Sequence, residues 1–155
     1  MTIRLAESDD DIARCCHVMR ELRPATAEAE FVARIRVQEA TGYRLALGEA
    51  DGIAVAAAGF RLGENLAWGR YLYVDDLVTS SAQRSKGHGR ELLAWLVEFA
   101  RREGCDELHL DSGVRRKEAH RFYEREGMEM TSYHFQIDVS GDPRRASPGG
   151  SPGQG

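Results

Sequence analysis

An α+β fold is predicted by three observations. The hydrophobic period changes from helical to alternating near residue 43. Three strand-like runs then follow one another through Thr79, and beyond them helix and strand patterns alternate. The 155 residues suit one domain with a real core.

The elements justify this order one by one. "TIRLA" reads as a first strand. Ser8 or Asp9 caps a helix reaching about Leu22, with Ile12, Cys16, Met19 and Arg23 along one stripe and Leu22 beside it, and Pro24 ends it. Thr26 is the expected N-cap of a second helix, with Glu28 in its first turn. Ala29 stands where a full capping box needs Glu or Gln. Phe31, Ile35 and Gln38 or Glu39 lie along this helix, and Gly42 closes it. "YRLALGEADGIAVAAAGFRL" holds two strands about Asp51-Gly52, a strong hairpin signal because a type I′ turn needs positive φ at both central residues. After "GENLAWG", "RYLYVDDLVT" is a third strand. Leu92, Leu93, Leu96, Val97 and Ala100 keep helical spacing up to Gly104. "DELHLDSG" reads as a strand and "KEAHRFYEREG" as a short helix ended by Gly127. "TSYHFQIDV" alternates and is predicted as a last strand. Residues 140–155 have almost no apolar content and are expected to be a disordered tail behind a single domain over 1–139.

Composition narrows function. Hydrophobic residues make up 42%, charged residues 30%, and the formal net charge is -4. A general nucleic-acid binder should be basic, so no nucleic-acid partner is expected. No apolar run approaches the roughly 20 residues of a membrane span, and the acidic start "MTIRLAESDDDIARCC" has no signal-peptide core. No membrane partner is expected, and the chain reads as cytoplasmic. Cys15, Cys16 and Cys105 have no C-x-x-C spacing and read as reduced, partly buried thiols.

"QRSKGHGRELL", residues 83–93, carries the clearest chemistry. Glycine lets the N–H groups of about Ser85 to Arg90 turn toward one phosphate-sized anion. The start of the following helix and the cations Arg84, Lys86 and Arg90 add positive potential there. The spacing is R-x-x-G-x-G, from Arg84 through Gly87 to Gly89. It is neither a Walker A loop nor a dinucleotide fingerprint.

"LVTSSAQRSKGHGRELL" resembles the acyl-CoA signature of the GNAT superfamily of N-acetyltransferases, and "EAHRFYEREGM" resembles its second signature. The resemblance reaches to about Val139. It implies a GNAT-like acyl-CoA N-acyltransferase fold, with a central, mostly antiparallel twisted sheet flanked by helices. The implied activity is transfer of an acetyl group from acetyl-CoA, as cosubstrate, to a primary amine of a small molecule by direct attack. It also implies that the loop Arg84, Ser85, Lys86, Gly87, His88, Gly89 and Arg90 cradles the pyrophosphate of coenzyme A. Main-chain groups of Leu77, Val78 and Thr79 would hold the pantetheine arm. The second half of the sequence further resembles the aminoalkylphosphonate branch of the superfamily, and the paired acids of "YVDDLVT" resemble those of the polyamine branch. Between these two acceptors the sequence does not choose.

Arg116, Ala119 and Tyr123 are spaced i, i+3, i+7 on one stripe, and Ala119 is small enough to let a ligand approach. The resemblance makes Tyr123 the general acid that protonates the leaving thiolate. A phenol of pKa about 10 suits a thiol of about 8.5. Phe122 is expected to be a core aromatic. An amine must lose a proton before attack, and Asp75 and Asp76 are the candidate bases or ammonium ligands. They should face opposite ways unless a bulge intervenes, and either could pair with Arg61 or Arg70. Arg116 stands where many family members have an asparagine that helps bind coenzyme A. It could hold a phosphate or the pantetheine amide, or project into solvent. His88 is expected to be exposed. His109, Asp111 and His134 could imply a metal, but spacing alone does not make a site, and no metal is expected. Trp95 and Trp68 read as packing residues, and Trp68 is the one of the two that could touch substrate or a second subunit of a homodimer. The rival readings are a catalytically weak acyl-CoA-binding regulatory module, against which Tyr123 and the two aspartates argue, and a protein N-acetyltransferase.

Overall fold

The computed structural model describes residues 1–83 and 86–145. Five strands form one sheet in the order β1-β2-β3-β4-β5: β1 Thr2–Leu5, β2 Tyr43–Ala50, β3 Ile53–Asn65, β4 Gly69–Thr79 and β5 Glu107–Leu110. The first three pairings are antiparallel and β4–β5 is parallel. The sheet is therefore mostly antiparallel, as expected. The β2–β3 turn places both Asp51 (φ 51) and Gly52 (φ 75) in the left-handed region, as a type I′ hairpin requires.

Helices cover both faces. Helix α1 (Asp9–Leu22) and α2 (Glu28–Glu39) lie on one side, where Ile12, Cys15, Val18, Met19, Phe31 and Ile35 pack on Leu45, Leu47 and Ala57. Helix α3 (His88–Arg102) lies on the other, where Leu92, Leu96 and Phe99 meet Phe60, Leu72 and Val74. The run "AVAAAG" in β3 suits a strand buried on both faces, because small side chains let both layers approach. The short α4 (Lys117–Arg125) follows β5.

Ser8 caps α1 by accepting from the Asp11 N–H (3.1 Å). The second helix corrects the expected cap: Ala27, not Thr26, is its N-cap and provides no side-chain bond. The first carbonyl taken up by the helix is that of Ala27, which accepts the Glu30 N–H (3.2 Å), so the helix starts one residue on. Residues 131–139 correct the expected last strand. They join no strand among the described residues, and Tyr133, Phe135, Ile137 and Val139 stay exposed. Of the expected tail, residues 140–145 hold only a short 3₁₀ turn at Pro143–Arg145, and residues 146–155 lie outside the described residues. All three cysteines are free. Burial pushes the Cys15 thiol up to about 12, so it is an inert core residue.

Candidate active site

The site starts from a parting of strands. The β4–β5 ladder ends at Val74–Leu110, yet β4 continues to Thr79. Beyond Val74 the main chain of β4 stays paired to β3 on one edge, with Leu77 opposite Ala58, Val78 opposite Ala57 and Thr79 opposite Ala56. Its other edge faces the gap left by β5. Leu77, Val78 and Thr79 are thus where an extended amide-bearing chain could bond to backbone.

A cavity of about 510 Å³ opens at this parting, lined by residues that include Arg23, Asp75, Leu77, Asp111, Arg116 and Tyr123. A second, of about 210 Å³, lies at the start of α3 and is lined by residues that include Thr79, Gly87, His88, Gly89, Arg90 and Phe122. Gly87 is the N-cap of α3 at φ 79, a conformation that L side chains rarely adopt. The Glu91 N–H makes the first helical bond, to the Gly87 carbonyl (3.1 Å). The N–H groups of His88, Gly89 and Arg90 thereby have no acceptor within the helix, which favours an anion. A Cβ built on Gly89 would stand 3.4 Å from the Phe122 ring and 3.8 Å from Thr79 Cγ2, so the glycine keeps this space open. These groups fit a phosphate-bearing cosubstrate whose arm runs along β4.

Two expectations change here. His88 is buried, not exposed, and among the described residues neither ring nitrogen has a hydrogen-bond partner. The helix begins at this residue, which turns its ring inward instead of leaving it on a loop. Phe122 is half-buried and lines the second cavity, so it is a wall of the site more than a core residue. Lys86 is exposed, and Arg90 is paired with Glu126 (3.5 Å). Arg84 and Ser85 lie outside the described residues.

A bulge decides where the aspartates point. Gly59 pairs with Asp76 and Phe60 with Val74, so Asp75 is the extra residue on β4. After it, Leu77 packs on the α3 side, while Val78 packs on the α1–α2 side. Asp76 shares that second side: its carboxylate accepts from the Tyr43 hydroxyl (3.0 Å) and from Arg23 Nε (2.8 Å). Asp75 accepts from Arg61 Nε (2.8 Å), the partner foreseen from sequence. The Arg61 guanidinium in turn lies 5.3 Å from the centre of the Tyr43 ring. Burial first, and then Asp76, hold the Tyr43 phenol far above its ordinary pKa, so it remains a donor. Each candidate base is therefore already paired with an arginine.

Tyr123 and Arg116 line the same cavity, Tyr123 on α4 and Arg116 as its N-cap. Ala119 is partly buried between them in sequence and lines neither cavity. Burial pushes the Tyr123 phenol above its ordinary value, and the Arg116 charge pulls it partly back. The group keeps its proton at neutral pH, as an acid must.

Sequence reasoning missed the place of two cavity residues, reading Arg23 only as part of a helix stripe and Asp111 only as a possible metal ligand. Arg23 is the residue after α1, far from Asp76 in sequence. Asp111 follows β5 directly, and its carboxylate accepts from the Tyr73 hydroxyl and faces His134 Nδ1 at 3.5 Å. His109 is drawn elsewhere. It stacks on Trp68 at 3.6 Å between centres and bonds to Glu107 (2.5 Å). Trp95 packs against Phe60 and Phe99, as expected of a packing residue. Among the described residues no three of His, Cys, Asp and Glu gather as metal ligands, and no helix is long and apolar enough to cross a membrane.

A sheet parted beside a helix start, with a phenol in the gap, is the arrangement that the resemblance to acyl-CoA-dependent transferases implies. The sequence model of the Acetyltransferase (GNAT) family matches residues 10–128, and this chain belongs to that family. It is 34% identical over 135 residues to the uncharacterized N-acetyltransferase YhdJ of Bacillus subtilis (strain 168), across 85% of this chain and 94% of that one. It is 30% identical over 131 residues to the aminoalkylphosphonate N-acetyltransferase of Salmonella typhimurium, across 83% of each. Among solved structures, the aminoglycoside N-acetyltransferase AAC(6')-Iy in complex with CoA superposes with a TM-score of 0.79 at 15% identity. That match covers 90% of this chain and 94% of that one. Glucosamine-6-phosphate N-acetyltransferase from Arabidopsis thaliana gives 0.71 at 20% identity, covering 90% and 99%. The fold is the GNAT fold, and the protein is an acetyl-CoA-dependent N-acetyltransferase with acetyl-CoA as cosubstrate.

Proposed function

We propose that the enzyme transfers the acetyl group to a primary amine of a small molecule by direct attack. The neutral amine nitrogen forms a bond to the thioester carbonyl carbon, the carbon–sulfur bond breaks, Tyr123 gives its proton to the departing sulfur, and the proton that the nitrogen loses passes through water and restores the phenol. The main-chain N–H near Val78 stabilises the oxygen as it becomes anionic, and the amide edge of Leu77, Val78 and Thr79 holds the pantetheine arm. The pyrophosphate lies on the α3 start, against Gly87, His88, Gly89 and Arg90. Arg84, Ser85 and Lys86 extend that contact in sequence. The observation that carries the reading is a phenol, held protonated by burial, in the cavity where the free edge of β4 begins.

The Salmonella relative is named for aminoalkylphosphonates. Arg23 and Arg116 line a cavity that also holds carboxylates, so an amine bearing an anionic group is the first acceptor to assay. The test is thiol release from acetyl-CoA with 3-aminopropylphosphonate and a panel of plain alkylamines, for the parent and Tyr123→Phe. General acid catalysis contributes roughly 10²–10⁴-fold, and water can replace the phenol in part, so kcat should fall by about 10². Acetyl-CoA affinity should stay near the parental value, because the phenol acts once charge develops on sulfur. Parental turnover in the variant, with the acyl-transfer step itself unslowed in a pre-steady-state measurement, would remove Tyr123 from the mechanism.

A further inference from the structure

The acids around the main cavity are not equivalent. Asp75 is engaged by Arg61. Asp76, just behind it, is engaged by Arg23 and Tyr43. Glu21 accepts the Ser81 backbone N–H (2.8 Å) at the rim. Asp111 differs from all three. Among the described residues it receives no lysine, arginine or backbone N–H. Its partners are the Tyr73 hydroxyl and, at 3.5 Å, a histidine nitrogen, and both fall on Oδ2. Its side chain is 45% exposed, so it can be reached.

Its place in the fold matters as much as its charge. Leu110 makes the last β4–β5 pair, so Asp111 is the first residue past the parting. It lines the same cavity as Tyr123 and Leu77. Tyr73 rises from the neighbouring strand, one residue before Val74, and its phenol is held above its ordinary value by burial first and by Asp111 next. It therefore donates to the carboxylate and does not compete with it for cations. An ammonium arriving in this cavity meets one carboxylate that is oriented by a neutral donor and not yet paid for by an arginine.

We propose that Asp111, oriented by Tyr73, is the anchor for the ammonium group of the acceptor, and that Asp75 and Asp76 are structural acids tied to Arg61 and Arg23. This rests on the acetyl-transfer reading above for the identity of the acceptor. It reassigns the acceptor contact from β4 to the residue that follows β5. An ammonium on Asp111 Oδ1 keeps the Tyr73 bond intact and holds the nitrogen at the mouth of the parting. The class of ligand is a primary alkylammonium, with or without a distal anion.

Binding and turnover test it separately. Calorimetry with the full-length protein saturated with coenzyme A would use two probes, 3-aminopropylphosphonate and n-propylamine. A hydrogen bond to a charged partner contributes about 1.5–3 kcal/mol, so Asp111→Asn should weaken binding of a probe that the parent holds by at least about tenfold. Acetyl-CoA affinity and melting temperature should stay near parental values. Asp111→Glu should recover part of the loss, and Tyr73→Phe, which leaves the charge, should lose less than Asp111→Asn. In steady state the loss should appear in the KM for the amine more than in kcat. Parental affinity in Asp111→Asn overturns the anchor, and so does a parent that binds neither probe. A parent that binds a probe through Asp111 but acetylates no amine leaves the anchor standing and sinks the transfer reading instead.

Discussion

Tyr43 lies so close over Gly59 that a Cβ built there would stand 1.7 Å from its hydroxyl oxygen. The glycine is needed for this close approach, and the approach is what brings the phenol to Asp76. Gly59→Ala must push the ring aside, an overpacking that typically costs about 1–3 kcal/mol, and it leaves a largely buried carboxylate short of one donor. The expected outcome is a lower urea midpoint at an unchanged slope. Equal midpoints for parent and variant would show that the ring has room to move. Little of this was legible in the sequence. Arg61 was foreseen as a partner for one of the aspartates because it sits on the adjacent run. Arg23 was not, because the 53 residues separating it from Asp76 carry no local signal of their meeting.

The start of α3 is where sequence and element agree best. Two glycines around one residue, then an apolar stripe, pointed to a helix with bare N–H groups at its start. What the pattern did not give is the inward turn of His88, since its direction depends on the residue at which the helix begins. Gly89→Val tests the element. The backbone tolerates a Cβ, but the branched methyls would fill the cavity between Phe122 and Thr79. Acetyl-CoA affinity should fall by at least about tenfold while the far-ultraviolet circular dichroism stays parental. Unchanged affinity in a folded variant would remove this loop from the cosubstrate site. The β4 bulge is the opposite case. Two adjacent aspartates look alternating on paper, and only the pairing with β3 shows that one residue is extra.

Across the whole molecule, the element order through α4 was readable from periodicity, because each element must bury one stripe or face, while the helices on both sides of the sheet came only with the family resemblance. The run 131–139 was misread for the same reason. Alternation says which side chains share a face, not whether a neighbouring strand is there to pair with. At the other end of the chain, β1, β2 and α1 are tied by charge. Arg4 holds Asp11 (2.6 Å) and Glu49 (3.1 Å), and Arg14 also reaches Glu49. The Arg4 hydrogen bond brings the Asp11 carboxyl down from 3.8 to about 2. A carboxyl lowered on folding stabilises the fold fully above its unfolded pKa, and that stability is lost as pH falls from about 4 toward 2. Chemical denaturation across this window should show the parent losing more stability than Asp11→Asn, and parallel curves would refute the linkage. The parting of β4 from β5 has a consequence for how this enzyme could change its trade. The gap is made by backbone divergence, not hollowed out by small side chains. A lineage, or an engineer, can exchange the residues that look into it without collapsing it, so a new acceptor requires new furniture in a room whose walls already stand.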